Sequence, residues 1–199
     1  MAKLLREYIE ISYTPEMIKE SLDQNGGKII LNAILQKANC KNQNGRVYPQ
    51  ELLKREFINY DRVVKDSRAL GELDHPESST VSLDRVSHIV REIWWKGDEV
   101  HGKVEILDTP KGQILDNLLR AGVKIGMSSR GVGSTSKNES GMDFVQDDYQ
   151  LICIDAVSEP STPGGFLYEG KEINFDPKKT FSRSDRIHKI LREITERKD

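Results

Sequence analysis

Cysteine is nearly absent from this chain. Cys40 and Cys153 are the only two in 199 residues, and neither sits in a CxxC or Cys/His grouping. That spacing speaks against a disulfide-rich secreted scaffold and against structural zinc, and favours two reduced thiols. Long apolar runs are missing too. None approaches the roughly 20 residues that would span a bilayer, and the charged opening MAKLLREYIE lacks a signal-peptide core. Nor does one sign of charge dominate: 30 basic residues face 32 acidic ones, for a net −2. No overall field draws the chain to nucleic acid or anionic lipid. These absences lead to the expectation of a soluble, intracellular protein with neither a membrane nor a nucleic acid as partner. Apolar residues make up only 36% of the chain and charged ones 31%, so a core is affordable while part of the length is expected as exposed extension.

What is present reads as short elements. Residues 13–24 (YTPEMIKESLDQ) open with Thr-Pro-Glu, which suits an N-cap followed by proline in the first helical turn. Residues 26–38 read as a strand, 39–49 as turn chemistry around Asn44-Gly45. In 50–66, Leu52, Leu53, Phe57, Tyr60, Val63 and Val64 fall on one helical face. Residues 85–107 alternate as two antiparallel strands joined at Lys96-Gly97-Asp98. A helix over 109–122 is closed by Gly122. A strand follows over 124–134, then a polar turn TSKNESG and one or two strands over 142–161. With no regular βαβ alternation, the expected class is α+β: a strand-rich, barrel-like and mostly antiparallel sheet flanked by a few helices. A body over 1–165 is expected, with a C-terminal extension over 166–199 whose residues 183–199 read as a charged helix.

Three stretches carry chemistry. His75, in ALGELDHP, ends a strand-like element and precedes a proline, so its imidazole has a defined direction and suits a general base. GMSSRGVG offers two hydroxyls, Ser128 and Ser129, which alternate to opposite faces of a strand, so only one of them can meet a given base. The backbone N–H groups of Ser129, Arg130 and Gly131, with the Arg130 cation, could hold an oxyanion. Gly126, Gly131 and Gly133 let another backbone come close. Asp155 interrupts the apolar run LICIDAV, and burying it is costly without a partner. It could orient an imidazole, pair with Arg130 or cap a turn. His88, His101 and His188 read as partly exposed structural side chains.

NGRVYP, ALGELDHP, WWKGDEVHGKVEIL, IGMSSRGVGS and DAVSEPSTP, in this order between Asn44 and Pro163, resemble the prohead core proteases of tailed bacteriophages. That family consists of serine endopeptidases that mature the capsid, akin in fold to the herpesvirus assemblin proteases. The resemblance implies His75 as catalytic histidine, Ser128 as nucleophile and Asp155 as the acid, with Asp74 a rival for the third role. Ser129, Arg130 and Gly131 would serve the oxyanion hole and substrate binding, with no metal or organic cofactor. Residues 1–165 would be the protease domain and 166–199 a removable extension. The implied partners are phage scaffold and capsid precursor proteins and the chain itself, as a homo-oligomer that self-cleaves inside the prohead in the host cytoplasm. The family tends to cut after glutamate with an aliphatic residue two positions before it. LRE (5–7), IKE (18–20), LGE (70–72), LYE (167–169), LRE (191–193) and ITE (194–196) fit, and trimming is expected first at Glu193 or Glu196. Two other readings stand beside this one: a non-catalytic ring or tube subunit on the same fold, and a metal-assisted hydrolase using Glu72, Asp74 and His75.

Overall fold

Two Thr-Pro steps start helices as expected. Thr14 Oγ1 accepts the Met17 N–H at 3.3 Å, opening α1 (Pro15–Gln24). Thr109 Oγ1 accepts the Gly112 N–H at 3.0 Å, opening α3 (Pro110–Arg120). The long amphipathic stretch forms α2 (Gln50–Lys65), and its Leu52, Leu53, Phe57, Tyr60 and Val64 are buried. Phe57 meets Trp95 edge to face at 6.3 Å; each such large apolar side chain contributes about 1.5–3 kcal/mol by leaving water.

The computed structural model describes residues 3–11, 14–76, 78–138 and 141–158. Among them the strands are β1 (Lys3–Ile11), β2 (Ile30–Lys37), β3 (Arg46–Val47), β4 (Leu70–Glu72), β5 (Val86–Lys96), β6 (Glu99–Ile106), β7 (Ile125–Gly133), β8 (Thr135–Lys137), β9 (Asp143–Val145) and β10 (Gln150–Val157). They form a sheet β1-β7-β10, a sheet β2-β6-β5-β4 and a small sheet β3-β9-β8. Every pairing is antiparallel except β3 with β9. The two larger sheets meet at the parallel bridge Leu73↔Ala156.

The α+β, mostly antiparallel class is as expected, but the strands do not close into one barrel among the described residues. Three elements differ from the sequence reading, one of them β3, which lies within the stretch 39–49 read as turn chemistry. The charged opening is strand β1, lying at a sheet edge where polar side chains are tolerated. Thr135–Lys137, read as turn, is strand β8. The expected helix over 183–199 and the extension over 166–199 lie outside the described residues. No helix among the described residues is long and apolar enough to cross a membrane.

Candidate active site

β7 is the middle strand of its sheet, and its pairing with β10 is not uniform. Gln150 and Leu151 face Val132 and Gly131; the register then slips by one residue, and Cys153, Ile154 and Asp155 face Arg130, Ser129 and Ser128. Directly opposed residues share a face, so the slip sets the Asp155 carboxylate beside the Ser128 hydroxyl. Both residues are fully buried.

His75 reaches them from the turn after β4. Gly71 permits the close approach of β4 to β10, because a Cβ there would lie 2.1 Å from the Ile154 carbonyl oxygen. Asp74 takes a left-handed backbone with φ 67°, a conformation that aspartate tolerates better than most residues. Its N–H donates to the Ala156 carbonyl at 2.7 Å, and its Oδ1 accepts the His75 N–H at 2.9 Å. The histidine is thereby tied to the strand that carries Asp155. Its ring Nδ1 is 2.7 Å from Asp155 Oδ2, and Nε2 contacts Ser128 Oγ. The imidazole side chain is 3% exposed. The structure thus brings His75, Ser128 and Asp155 together and leaves the rival Asp74 on its own turn, with its carboxylate on a backbone N–H.

The carboxylate of Asp155 is thoroughly engaged. Oδ1 accepts the Glu72 N–H at 3.0 Å, Arg130 Nη2 at 3.3 Å and the Cys153 thiol at 3.3 Å. Arg130 Nε lies 2.9 Å from Oδ2, close enough for ion pairing but out of line for a hydrogen bond. Burial alone would raise the Asp155 pKa. The hydrogen bond from His75 and the Arg130 charge outweigh it and hold the acid below the usual carboxylate range. Arg130 is itself fully buried. Besides Asp155 it donates to Glu72 Oε2 at 3.0 Å, Cys153 Sγ at 3.0 Å and the Ser78 carbonyl at 2.7 Å. Glu72 Oε1 in turn accepts the Ser82 N–H, so the loop from 75 to 82 is laced to the same network.

The residues expected to hold an oxyanion are occupied otherwise. β7 is paired by β1 on one side and β10 on the other over 129–131, which commits its N–H groups to ladders. Ser129 Oγ accepts Gln36 Nε2 at 2.8 Å on the opposite face from Ser128. At Gly131 a Cβ would lie 2.4 Å from the Tyr149 ring, and at Gly133 it would lie 2.8 Å from Tyr149 Cα. The glycines therefore make room for this chain's own tyrosine. Glu72, a ligand in the metal-assisted reading, is spent on Arg130 and Ser82.

Gln36 and Glu56 are buried polar residues that sequence reasoning passed over, although each interrupts an apolar pattern as Asp155 does. His88, expected to be partly exposed, is fully buried. Burial lowers its pKa to about 4, against the pull of Asp155. The neutral ring donates from Nε2 to the Ile154 carbonyl at 3.0 Å, while Nδ1 accepts the Ser87 hydroxyl at 2.9 Å.

Comparison with known proteins points to one family. The family model described as prohead core protein serine protease matches residues 10–175. The prohead core protein protease of Enterobacteria phage T4 is 33% identical over 143 residues, covering 70% of this chain and 68% of that protein. The solved structure of the bacteriophage T4 capsid assembly protease, gp21, superposes with a TM-score of 0.67 at 26% identity. That match covers 80% of this chain and 99% of the other.

Proposed function

The chain belongs to the prohead core protein serine protease family, peptidases of capsid maturation, and on that premise we propose that it is a serine endopeptidase acting through Ser128, His75 and Asp155. One observation carries the reading: a single imidazole bridges the alcohol and the buried carboxylate from a third segment of chain. Ser128 Oγ attacks the peptide carbonyl as His75 Nε2 takes its proton. Asp155 fixes the Nδ1–H tautomer and steadies the imidazolium, which then protonates the leaving amine. Water repeats the sequence to release the acyl group. Arg130 acts on the acid rather than on the oxyanion, because its donors already lie on Asp155, Glu72 and Ser78. Ser128 has no exposed surface, so a peptide reaches it only when neighbouring chain moves. The mechanism needs no metal or organic cofactor.

The substrates are phage scaffold and capsid precursor proteins inside the prohead, together with the protein's own extension, in an assembly of several copies. Among the tripeptides that fit cleavage after glutamate, LGE places Glu72 in β4 with no exposure, and IKE places the buried Ile18 in α1. Both are protected in the folded protein, as is LRE (5–7), whose buried Leu5 lies in β1. Of the three matches that remain, near the C-terminus, Glu193 and Glu196 are the proposed first sites, ahead of Glu169. The test is intact-mass measurement over time, with a serine-reactive phosphonate as probe. Wild type should lose its C-terminal residues and take the label on Ser128. Ser128→Ala should do neither, with activity lower by about 10⁴–10⁶-fold. Proteolysis that persists in Ser128→Ala, or labelling of Ser129 instead, would overturn the assignment.

A further inference from the structure

α2 carries a carboxylate on its apolar face that the chemistry above does not use. Glu56 sits among the buried Leu52, Leu53, Phe57 and Tyr60, with its own side chain 7% exposed. Its Oε2 accepts the Leu151 N–H at 2.9 Å, and its Oε1 pairs with Arg55 Nε at 2.9 Å. Arg55 Nη2 donates to the carbonyls of Asp147 and Tyr149 at 2.9 and 3.0 Å. Two consecutive residues of one helix thus grip three backbone groups, two in the turn before β10 and one at its second residue.

The grip falls where the β10–β7 ladder slips, between Leu151 and Cys153. Ile152 is the extra residue, and such a bulge leaves backbone groups without a ladder partner. Here a charged acceptor takes the Leu151 N–H, a stronger bond than a neutral one. If the register before the slip continued, Ile154 would oppose Ser128 and Asp155 would oppose Met127. The carboxylate would then point to the sheet's other face, away from His75.

We propose that Glu56, held by Arg55, is a positioning residue that pins this slipped register and so sets the acid against the nucleophile. The inference rests on the Ser128–His75–Asp155 reading. A carboxylate that merely satisfied a buried N–H would affect stability alone. One that sets the register would alter the His75–Asp155 contact and the reactivity of Ser128 in molecules that remain folded.

The experiment measures the rate of phosphonate labelling of Ser128 and the low-field proton resonance of the His75–Asp155 hydrogen bond, using the full chain. Glu56→Leu should label about 10–100-fold more slowly. The low-field resonance should disappear, because the imidazole loses its carboxylate partner. Glu56→Gln keeps an acceptor oxygen and should stay within about threefold of wild type. A folded Glu56→Leu with wild-type rate and resonance would overturn the proposal, even with a lower Tm. Should Glu56→Leu not fold, Arg55→Ala decides. It should label about 3–10-fold more slowly with the low-field resonance weakened, and an unchanged rate and resonance would overturn the pin. Ser128→Ala separates the two readings. Labelling that survives in it defeats the triad, whereas its loss beside a wild-type-like Glu56→Leu defeats the pin alone.

Discussion

Ser128 and Ser129 are adjacent in one strand and equally buried, yet the two faces of β7 give them different surroundings. On one face Ser128 has His75, and around it Asp155, Arg130 and Glu72 form a charged cluster sealed from water. On the other face Ser129 meets the Gln36 amide, and Met127 and Ile125 continue a neutral interior. The same hydroxyl is thus placed to be a reagent on one side and a structural hydrogen-bond acceptor on the other. The strand's pleat makes the division, and the partners on each side make the chemistry. Charges survive on the first face only because each is paired there; an unpaired one would cost several kcal/mol.

Removing a charge from the first face is therefore the severest way to test the contrast. Arg130→Met leaves Glu72 and Asp155 as buried carboxylates with their cation gone. The expected loss is about 3–5 kcal/mol in urea unfolding, and the folded fraction should also be impaired in catalysis, as Asp155 is no longer held ionised by its neighbour. Unchanged stability would mean that the cluster is wet or rearranges, and the two faces would then differ less than the structure implies.

A smaller effect comes from His88, which stands behind the charged face and stays neutral to support the Ile154 carbonyl. Its folded-state pKa of about 4 lies below the ordinary 6.5. Between those values the unfolded chain takes up a proton that the folded chain refuses, so stability rises with pH. It is complete above about pH 6.5 and falls on acidification toward pH 4, by about 3 kcal/mol in all. Asp155, held below its ordinary value, keeps its own stabilising contribution until more acidic conditions, so the window belongs to the histidine. Denaturation midpoints at pH 7, 5.5 and 4 should show the decline in wild type and a flatter profile in His88→Gln. Equal slopes would show that burial does not keep this ring neutral.

Much of this site could be read from residues, and the unreadable part has a physical reason. His75 was legible because Pro76 and a short strand before it fix a turn. The alternation of Ser128 and Ser129 was legible as a choice between faces, though the choice itself was not, since it depends on which distant turn arrives. Asp155 could be seen to need a partner, and it takes two of those foreseen, His75 and Arg130, at once. Its face could not be seen. That depends on the extra residue Ile152, and a bulge leaves no mark in hydrophobic pattern when the residues around it are all apolar. The glycines at 131 and 133 declared a close approach without saying whose, and Tyr149 fills it. β1 escaped notice because an edge strand may be charged.

Ser129→Ala is the mildest probe and the one that speaks most directly to the division between faces. It removes the acceptor of a buried bond at 2.8 Å from Gln36 and leaves the amide donor unsatisfied, at a cost of about 1–3 kcal/mol. The charged face is untouched, since alternation points the side chain away from His75. Thermal unfolding should therefore register the change, while labelling of Ser128 by phosphonate stays within about threefold of wild type. Gln36→Leu in the same background should recover only part of the loss, because it removes the orphaned Nε2 donor but also takes the Oε1 acceptor away from the Lys37 N–H, bound at 2.9 Å. If Ser129→Ala instead lowers labelling as deeply as Ser128→Ala does, the two faces communicate through the strand, and the separation of reagent from scaffold in β7 is wrong.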